Sequence, residues 1–69
     1  MSRLKILGNN IRKYRKLKNY RQLDLATALD LSEDYVCRVE NGLKHISLKK
    51  LFQLADILEV KMSDLIDFD

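Results

Sequence analysis

Apolar residues recur along this chain at intervals of three and four, the spacing that places side chains on one face of an α-helix. The first stripe consists of Leu4, Leu7, Ile11 and Tyr14, and the residues between them are mostly basic or polar. β-Branched residues never alternate with polar ones over the length of a strand, and the chain has no proline. The pattern therefore predicts an all-α structure.

The ends of the apolar stripes predict five helices in one domain, residues 1–69. Ser32, Ser47 and Ser63 each precede a stripe, so we expect them to be helix N-caps. Gly42 follows Asn41 and would end a helix in the left-handed conformation. Gly8 interrupts the first stripe, which makes sense if another helix crosses there. The predicted helices span about residues 3–18, 22–29, 33–41, 48–58 and 63–66.

The charge of the chain is divided unequally between its two parts. Residues 1–22 contain eight Lys and Arg and no acidic residue, whereas residues 23–69 contain five basic and all ten acidic residues. An electropositive end suits a polyanion such as nucleic acid or an anionic membrane surface, although a solvated basic helix face is the simpler interpretation. The chain has neither a signal peptide nor an apolar run that could span a bilayer, so we expect a cytoplasmic protein with no membrane partner.

Candidate catalytic and metal-binding residues are too few to predict an enzyme. Cys37 is the only cysteine and His45 the only histidine, so a disulfide framework or a metal cluster is excluded. No nucleophile has an evident base, and no glycine-rich loop could hold a phosphate. We therefore expect a binding protein that uses no metal and no cofactor.

The central stretch resembles the Cro/C1-type (Xre-like) helix-turn-helix family. The matching residues are Gln22-x-x-Leu25-Ala26-x-x-Leu29-x-Leu31-Ser32-x-x-Tyr35-Val36-x-x-Val39-Glu40-Asn41-Gly42. The resemblance extends over about residues 4–66 and implies a five-helix, lambda-repressor-like fold with its motif at 22–41. It also implies a regulator that binds double-stranded DNA as a homodimer on paired half-sites, as phage-type repressors and restriction–modification controller proteins do. The third helix would then enter the major groove.

Roles for individual residues follow from the resemblance. Arg15 and Glu40 would form a structural ion pair, and Ala26 would be the small residue between helices 2 and 3. Asp30 stands where the family has glycine, and Arg21 stands where a capping Ser or Thr is usual, so the start of helix 2 is expected to fray. The core of the motif would consist of Leu25, Leu29, Val36 and Val39.

The resemblance also implies three sets of contact residues. Arg38 is expected to bond guanine, whereas the two acids at the start of helix 3 either accept from cytosine or serve only the helix dipole. The C-terminal apolar residues form either a dimer surface or part of the intramolecular core. The base-contacting candidates are Glu33, Asp34, Tyr35, Cys37 and Arg38; the phosphate-contacting candidates are Gln22, Ser32, Asn41, Lys44 and His45; the dimer candidates are Met62, Leu65, Ile66 and Phe68.

A second hypothesis is a protein-interaction module of the antitoxin or anti-repressor kind. The acidic start of the third helix and the apolar Leu23 favour that reading, since both depart from what a DNA-binding helix needs. The basic first helix favours DNA. Binding to DNA at low salt would decide between the two.

Overall fold

The computed structural model describes residues 2–67, which contain α-helices and no β-strand. The all-α prediction is confirmed, and every predicted helix end lies within one residue of the observed one. The helices are α1 (Arg3–Leu17), α2 (Gln22–Leu29), α3 (Glu33–Glu40), α4 (Leu48–Leu58) and α5 (Met62–Leu65).

Serine side chains cap the starts of α1, α3 and α4. The Oγ atoms of Ser32 and Ser47 accept hydrogen bonds from backbone N–H groups three residues later, at 3.0 and 3.1 Å. Both caps were predicted, because a serine oxygen satisfies one of the N–H groups that a helix start leaves unpaired. Ser2 caps α1 in the same way, at 3.2 Å, and was not predicted.

The predicted cap at Ser63 is wrong. Helix α5 begins one residue earlier, with Lys61 at the N-cap position. The carboxylate of Asp64 accepts from the backbone N–H of Lys61 at 3.0 Å, so an acid inside the first turn does what the serine was expected to do.

The start of α2 is stabilised by an acid of its first turn as well. Arg21 is the N-cap residue and has no acceptor to offer, but Asp24 accepts from its backbone N–H at 2.7 Å. The same carboxylate forms an ion pair with the Arg21 guanidinium at 3.0 Å. Hydrogen bonds from the Arg21 side chain and then from its backbone lower the pKa of Asp24. Asp24 thus stabilises the start of α2, although the N-cap side chain of Arg21 has no acceptor atom.

The turn between α2 and α3 places Asp30 in the left-handed conformation, with φ = 57°. This is the strain expected where the family has glycine. Across the turn, the Lys50 ammonium group of α4 donates to the backbone carbonyl of Leu29. Lysine is favourable there, since the carboxyl end of a helix is the negative end of its dipole.

The core lies between α2 and its neighbours. Helix α3 packs against α1 and α2, α4 packs against α2 and α5, and α1 contacts α5. The four predicted core residues of the motif are all buried, as is Ala26. The buried apolar residues are Leu7, Ile11, Leu25, Ala26, Leu29, Val36, Val39, Leu51, Leu54, Ala55, Leu58 and Leu65.

The C-terminal candidates for a dimer surface divide between core and solvent. Leu65 is fully buried within the monomer, so its assignment to a surface is corrected: it completes the chain's own core. Met62 is half-buried and packs against that core, whereas Ile66 is exposed. Phe68 lies outside the described residues. Between residues 2 and 67, no helix is long and apolar enough to cross a membrane.

Candidate nucleic-acid interface

Helix α3 has one buried face and one exposed face. Val36 and Val39 point into the core because they recur at the helical interval of three. The opposite side, here called the outer face of α3, carries three exposed residues and one half-buried cysteine. These residues are Glu33, Asp34, Cys37 and Arg38.

A buried carboxylate fixes the carboxyl end of α3. Glu40 is only 1% exposed. Its Oε2 accepts from Arg15 Nε at 2.7 Å, and its Oε1 accepts from Arg15 Nη2 at 3.0 Å, so the pair expected from the family resemblance is present and bidentate. Arg12 Nε and Gln22 Nε2 also donate to Oε1, at 3.3 and 3.0 Å. These four residues, the Glu40 cluster, join α1, α2 and α3.

Two members of the Glu40 cluster were not assigned to it from the sequence. Arg12 lies one turn before Arg15 on the same side of α1, and that spacing was a usable signal. Gln22 was predicted to contact a phosphate; in the structure its amide nitrogen donates to Glu40. The amide carries a second N–H, and a phosphate contact by Gln22 stays a prediction.

The donors around Glu40 control its ionisation. Burial by itself would raise the pKa of this carboxyl, because a charge is poorly solvated in the interior. Hydrogen bonds from Arg15 and Gln22, together with the positive charge of Arg15 and a hydrogen bond from Arg12, outweigh burial and lower the pKa of Glu40. Glu40 is therefore an ionised group held by its partners.

Helix α1 approaches this end of α3 closely, as the position of Gly8 predicted. A Cβ atom on Gly8 would lie 2.6 Å from the carbonyl oxygen of Val39 and would also clash with that of Glu40. Only a residue without a side chain fits where these backbones cross.

The ion pair near the amino end of α3 is exposed to solvent. Arg38 Nε donates to Asp34 Oδ2 at 2.8 Å, one helical turn away, and both side chains remain more than half exposed. At the opposite, carboxyl end of α3, the C-cap residue Asn41 accepts through its Oδ1 from Arg12 Nη2 at 2.7 Å. The Asn41 amide nitrogen contacts Cys37 Sγ at 3.5 Å.

Tyr35 joins α3 to the loop that precedes α4. Its hydroxyl donates to the backbone carbonyl of His45 at 2.6 Å, and the Lys44 ammonium lies 5.7 Å from the centre of its ring. The phosphate candidates Lys44 and His45 are therefore held beside α3. The Tyr35 hydroxyl donates its only proton to this carbonyl, so Tyr35 could contact a base only as an acceptor or through its ring.

The structure thus gathers the predicted contact residues around α3. Arg12 bonds both Glu40 and Asn41, and Gln22 bonds Glu40, so the start of α2 and the end of α3 are adjacent. Ser32 caps the other end of α3. The resulting surface has an exposed helix in its centre and candidate phosphate ligands at its edges.

Comparisons with known proteins agree with the helix-turn-helix resemblance of the sequence. Residues 11–65 match the family model described as Helix-turn-helix. The chain is 34% identical over 63 residues to an uncharacterized HTH-type transcriptional regulator of Methanocaldococcus jannaschii, covering 91% of this chain and 96% of that protein. It is 33% identical over 64 residues to the control protein C.BamHI of Bacillus amyloliquefaciens, covering 91% of this chain and 79% of that one.

A solved structure shows the same fold. The crystal structure of the restriction-modification controller protein C.AhdI from Aeromonas hydrophila superposes with a TM-score of 0.83 at 32% identity. The match covers 90% of this chain and 94% of the controller protein.

Proposed function

The chain belongs to the helix-turn-helix family of DNA-binding transcriptional regulators, and from this premise we propose that it acts as a homodimer on paired half-sites of double-stranded DNA. In this proposal α3 enters the major groove and its outer face contacts base edges. Gln22, Ser32, Asn41, Lys44 and His45 contact the phosphates on either side of the groove.

The observation that carries the proposal is the exposed outer face of α3, presented by a helix whose other face and carboxyl end are buried. A recognition helix has to be held firmly while its contact residues stay free for DNA. The Glu40 cluster holds the carboxyl end of α3, and Tyr35 holds its first turn against the loop. Arg38 remains accessible beside them.

The homodimer is supported by the size of α3 and by exposed apolar side chains. An eight-residue helix is about 12 Å long, so one copy spans only a few base pairs. Leu48 and Phe52 lie one turn apart on α4, are 62% and 52% exposed, and offer apolar surface for a second copy. The exposed Ile66 and the half-buried Met62 remain candidates for the same interface.

Selection of bound duplexes from random DNA tests this function. We expect an enriched sequence with two related half-sites about 10–10.5 base pairs apart, because a twofold dimer presents its recognition helices one DNA turn apart. Inserting five base pairs between the half-sites should remove most of the affinity, whereas inserting ten should restore much of it. Equal binding to all three duplexes would contradict the paired-half-site arrangement.

Two variants separate base contacts from phosphate contacts. Arg38→Ala should weaken binding to the selected duplex by roughly 1–3 kcal/mol and relax one base position. Lys44→Ala should weaken binding to selected and random DNA alike and lower the salt dependence by about one phosphate. Equal losses for Arg38→Ala on both kinds of DNA would show that it contacts phosphate instead.

The protein-interaction alternative predicts a different result. Leu23 is an apolar residue of α2 that stays 44% exposed, as a protein-binding surface would need. If the wild-type chain binds no duplex at low salt, the DNA function is wrong and this alternative replaces it.

A further inference from the structure

The outer face of α3 places a carboxylate where a DNA-binding helix would be expected to carry none. Asp34 is 75% exposed and would lie near the DNA phosphates, which repel it. The structure shows that this carboxylate is not free, because Asp34 Oδ2 accepts from Arg38 Nε at 2.8 Å. Among the described residues 2–67, the Arg38 side chain makes this one hydrogen bond.

We propose that Asp34 is a positioning residue that makes Arg38 select guanine instead of phosphate. The inference rests on the proposed function and deepens it by assigning the base. A guanidinium has five N–H donors in a rigid plane, and the bond to Asp34 occupies the one on Nε. The two terminal nitrogens remain free to donate to guanine O6 and N7, the pair of acceptors that arginine bonds in the major groove.

The Asp34–Arg38 pair also disfavours phosphate, which competes with guanine for Arg38. A free arginine on the edge of a helix binds phosphate readily, because the attraction needs no particular base. A carboxylate beside the guanidinium repels the phosphate but is tolerated by an uncharged base edge. Discrimination by an added repulsive group is a general route to specificity.

The geometry restrains Arg38 before DNA arrives. Residues four apart on a helix are neighbours, so Asp34 holds the guanidinium along the helix surface with few of its rotamers available. Ordering a flexible side chain in advance lowers the entropy lost on binding. The exposure of the pair, 75% for Asp34 and 53% for Arg38, keeps it accessible to a ligand.

Asp30 provides a matched control in the turn that precedes α3. It is an exposed aspartate four residues before Asp34, and the hydrogen bond to Arg38 belongs to Asp34. Asp34→Asn and Asp30→Asn are the same chemical change: each removes one negative charge and leaves the side-chain size nearly unchanged, and asparagine tolerates the left-handed conformation at position 30. Any effect of charge on DNA affinity should therefore appear in both variants, and only the positioning effect should be confined to Asp34→Asn.

The experiment starts from a duplex selected with the wild-type chain. The position at which Arg38→Ala loses its base preference identifies the contacted pair. Dissociation constants are then measured for duplexes that carry G·C, A·T or a 7-deazaguanine pair there, the last of which lacks the N7 acceptor. Wild type should prefer G·C over A·T by about tenfold or more, since a bidentate pair discriminates by roughly 1–3 kcal/mol.

Asp34→Asn should lower that preference to about twofold and become nearly insensitive to 7-deazaguanine, whereas Asp30→Asn should keep both wild-type effects. Asp34→Glu, which retains a carboxylate one turn before Arg38, should recover part of the preference. A merely structural role for Asp34 would not change the response to one missing ring nitrogen.

Three results would overturn the inference. Asp34→Asn could keep the wild-type preference, or Asp30→Asn could lose it to the same extent, which would leave only a charge effect. Arg38→Ala could also lose no base preference, in which case Arg38 contacts no base. Failure of the proposed function is distinguishable from these, because the wild-type chain would then enrich no duplex at all.

Discussion

The two ends of α3 carry the same chemical pair in opposite surroundings. At the carboxyl end, Glu40 is 1% exposed and accepts hydrogen bonds from three side chains. At the amino end, Asp34 and Arg38 form one hydrogen bond and remain more than half exposed. Water competes for the second pair but not for the first. The buried pair therefore fixes the position of α3, and the exposed pair is left accessible to a ligand.

The largest effect on stability is expected when the buried ion pair at the carboxyl end of α3 is removed. Glu40→Ala should lower the free energy of unfolding by about 3–5 kcal/mol, because Arg15 would stay buried without its partner. Urea unfolding followed by circular dichroism at pH 7 measures this. Asp34→Ala is the matched control, since it also removes a carboxylate from α3. Equal losses in the two variants would contradict the distinction between the ends.

A smaller effect is expected where α1 crosses the buried end. Gly8→Ala places a Cβ atom against the carbonyl oxygens of Val39 and Glu40, and we expect a loss of about 1–3 kcal/mol from overpacking. Helix propensity alone predicts the opposite sign, a gain of about 1 kcal/mol. Lys16→Ala, at an exposed position of the same helix, should change stability by less than about 0.5 kcal/mol. A more stable Gly8→Ala protein would show that the crossing can relax.

Acid should lower the free energy of unfolding, because it protonates Glu40 at the buried end of α3. The pKa of Glu40 is lower in the folded chain than its ordinary value of about 4.3, so the folded state binds fewer protons than the unfolded state. The stabilisation is therefore fully present above about pH 4.3 and is lost as the pH falls through the lower folded pKa. This single carboxyl can contribute a slope of at most about 1.4 kcal/mol per pH unit. In urea unfolding from pH 7 to pH 2, stability should fall more steeply with acid for wild type than for Glu40→Gln, in which Asp24 still contributes a slope of its own; parallel curves would contradict the role of Glu40.

The sequence predicted the features that depend on local spacing. Helix bounds came from apolar intervals and caps, and the closeness at Gly8 came from a glycine in an otherwise helical stretch. Ser63 was misassigned because Asp64, next to it, is an equally good partner for a free N–H group. Leu65 was offered to a dimer surface because periodicity shows that a residue is apolar but not which surface covers it.

Contacts between helices were mostly beyond reach of the sequence. The Arg15–Glu40 pair was expected only through the family resemblance. The contacts of Arg12 and Gln22 with Glu40, and that of Lys50 with the end of α2, depend on how four helices pack. The Asp34–Arg38 pair has a local spacing of four, yet its side chains were considered separately as base contacts. Under the proposal above, this pairing gives Asp34 a role on the outer face.

The smallest expected effect is on the stability provided by the exposed pair. A double-mutant cycle of Asp34→Asn and Arg38→Ala should give a coupling of only about 0.3–0.5 kcal/mol for unfolding, because exposed pairs one turn apart are well screened by water and salt. The cycle subtracts the separate effect of Asp34 on the helix dipole, which single variants would include. The same cycle measured for binding to the selected duplex should give a larger coupling, since DNA removes water from the pair. A coupling for unfolding above about 1 kcal/mol would mean that the exposed pair stabilises the fold, as the buried Arg15–Glu40 pair does. The distinction between the two ends of α3 would then be wrong.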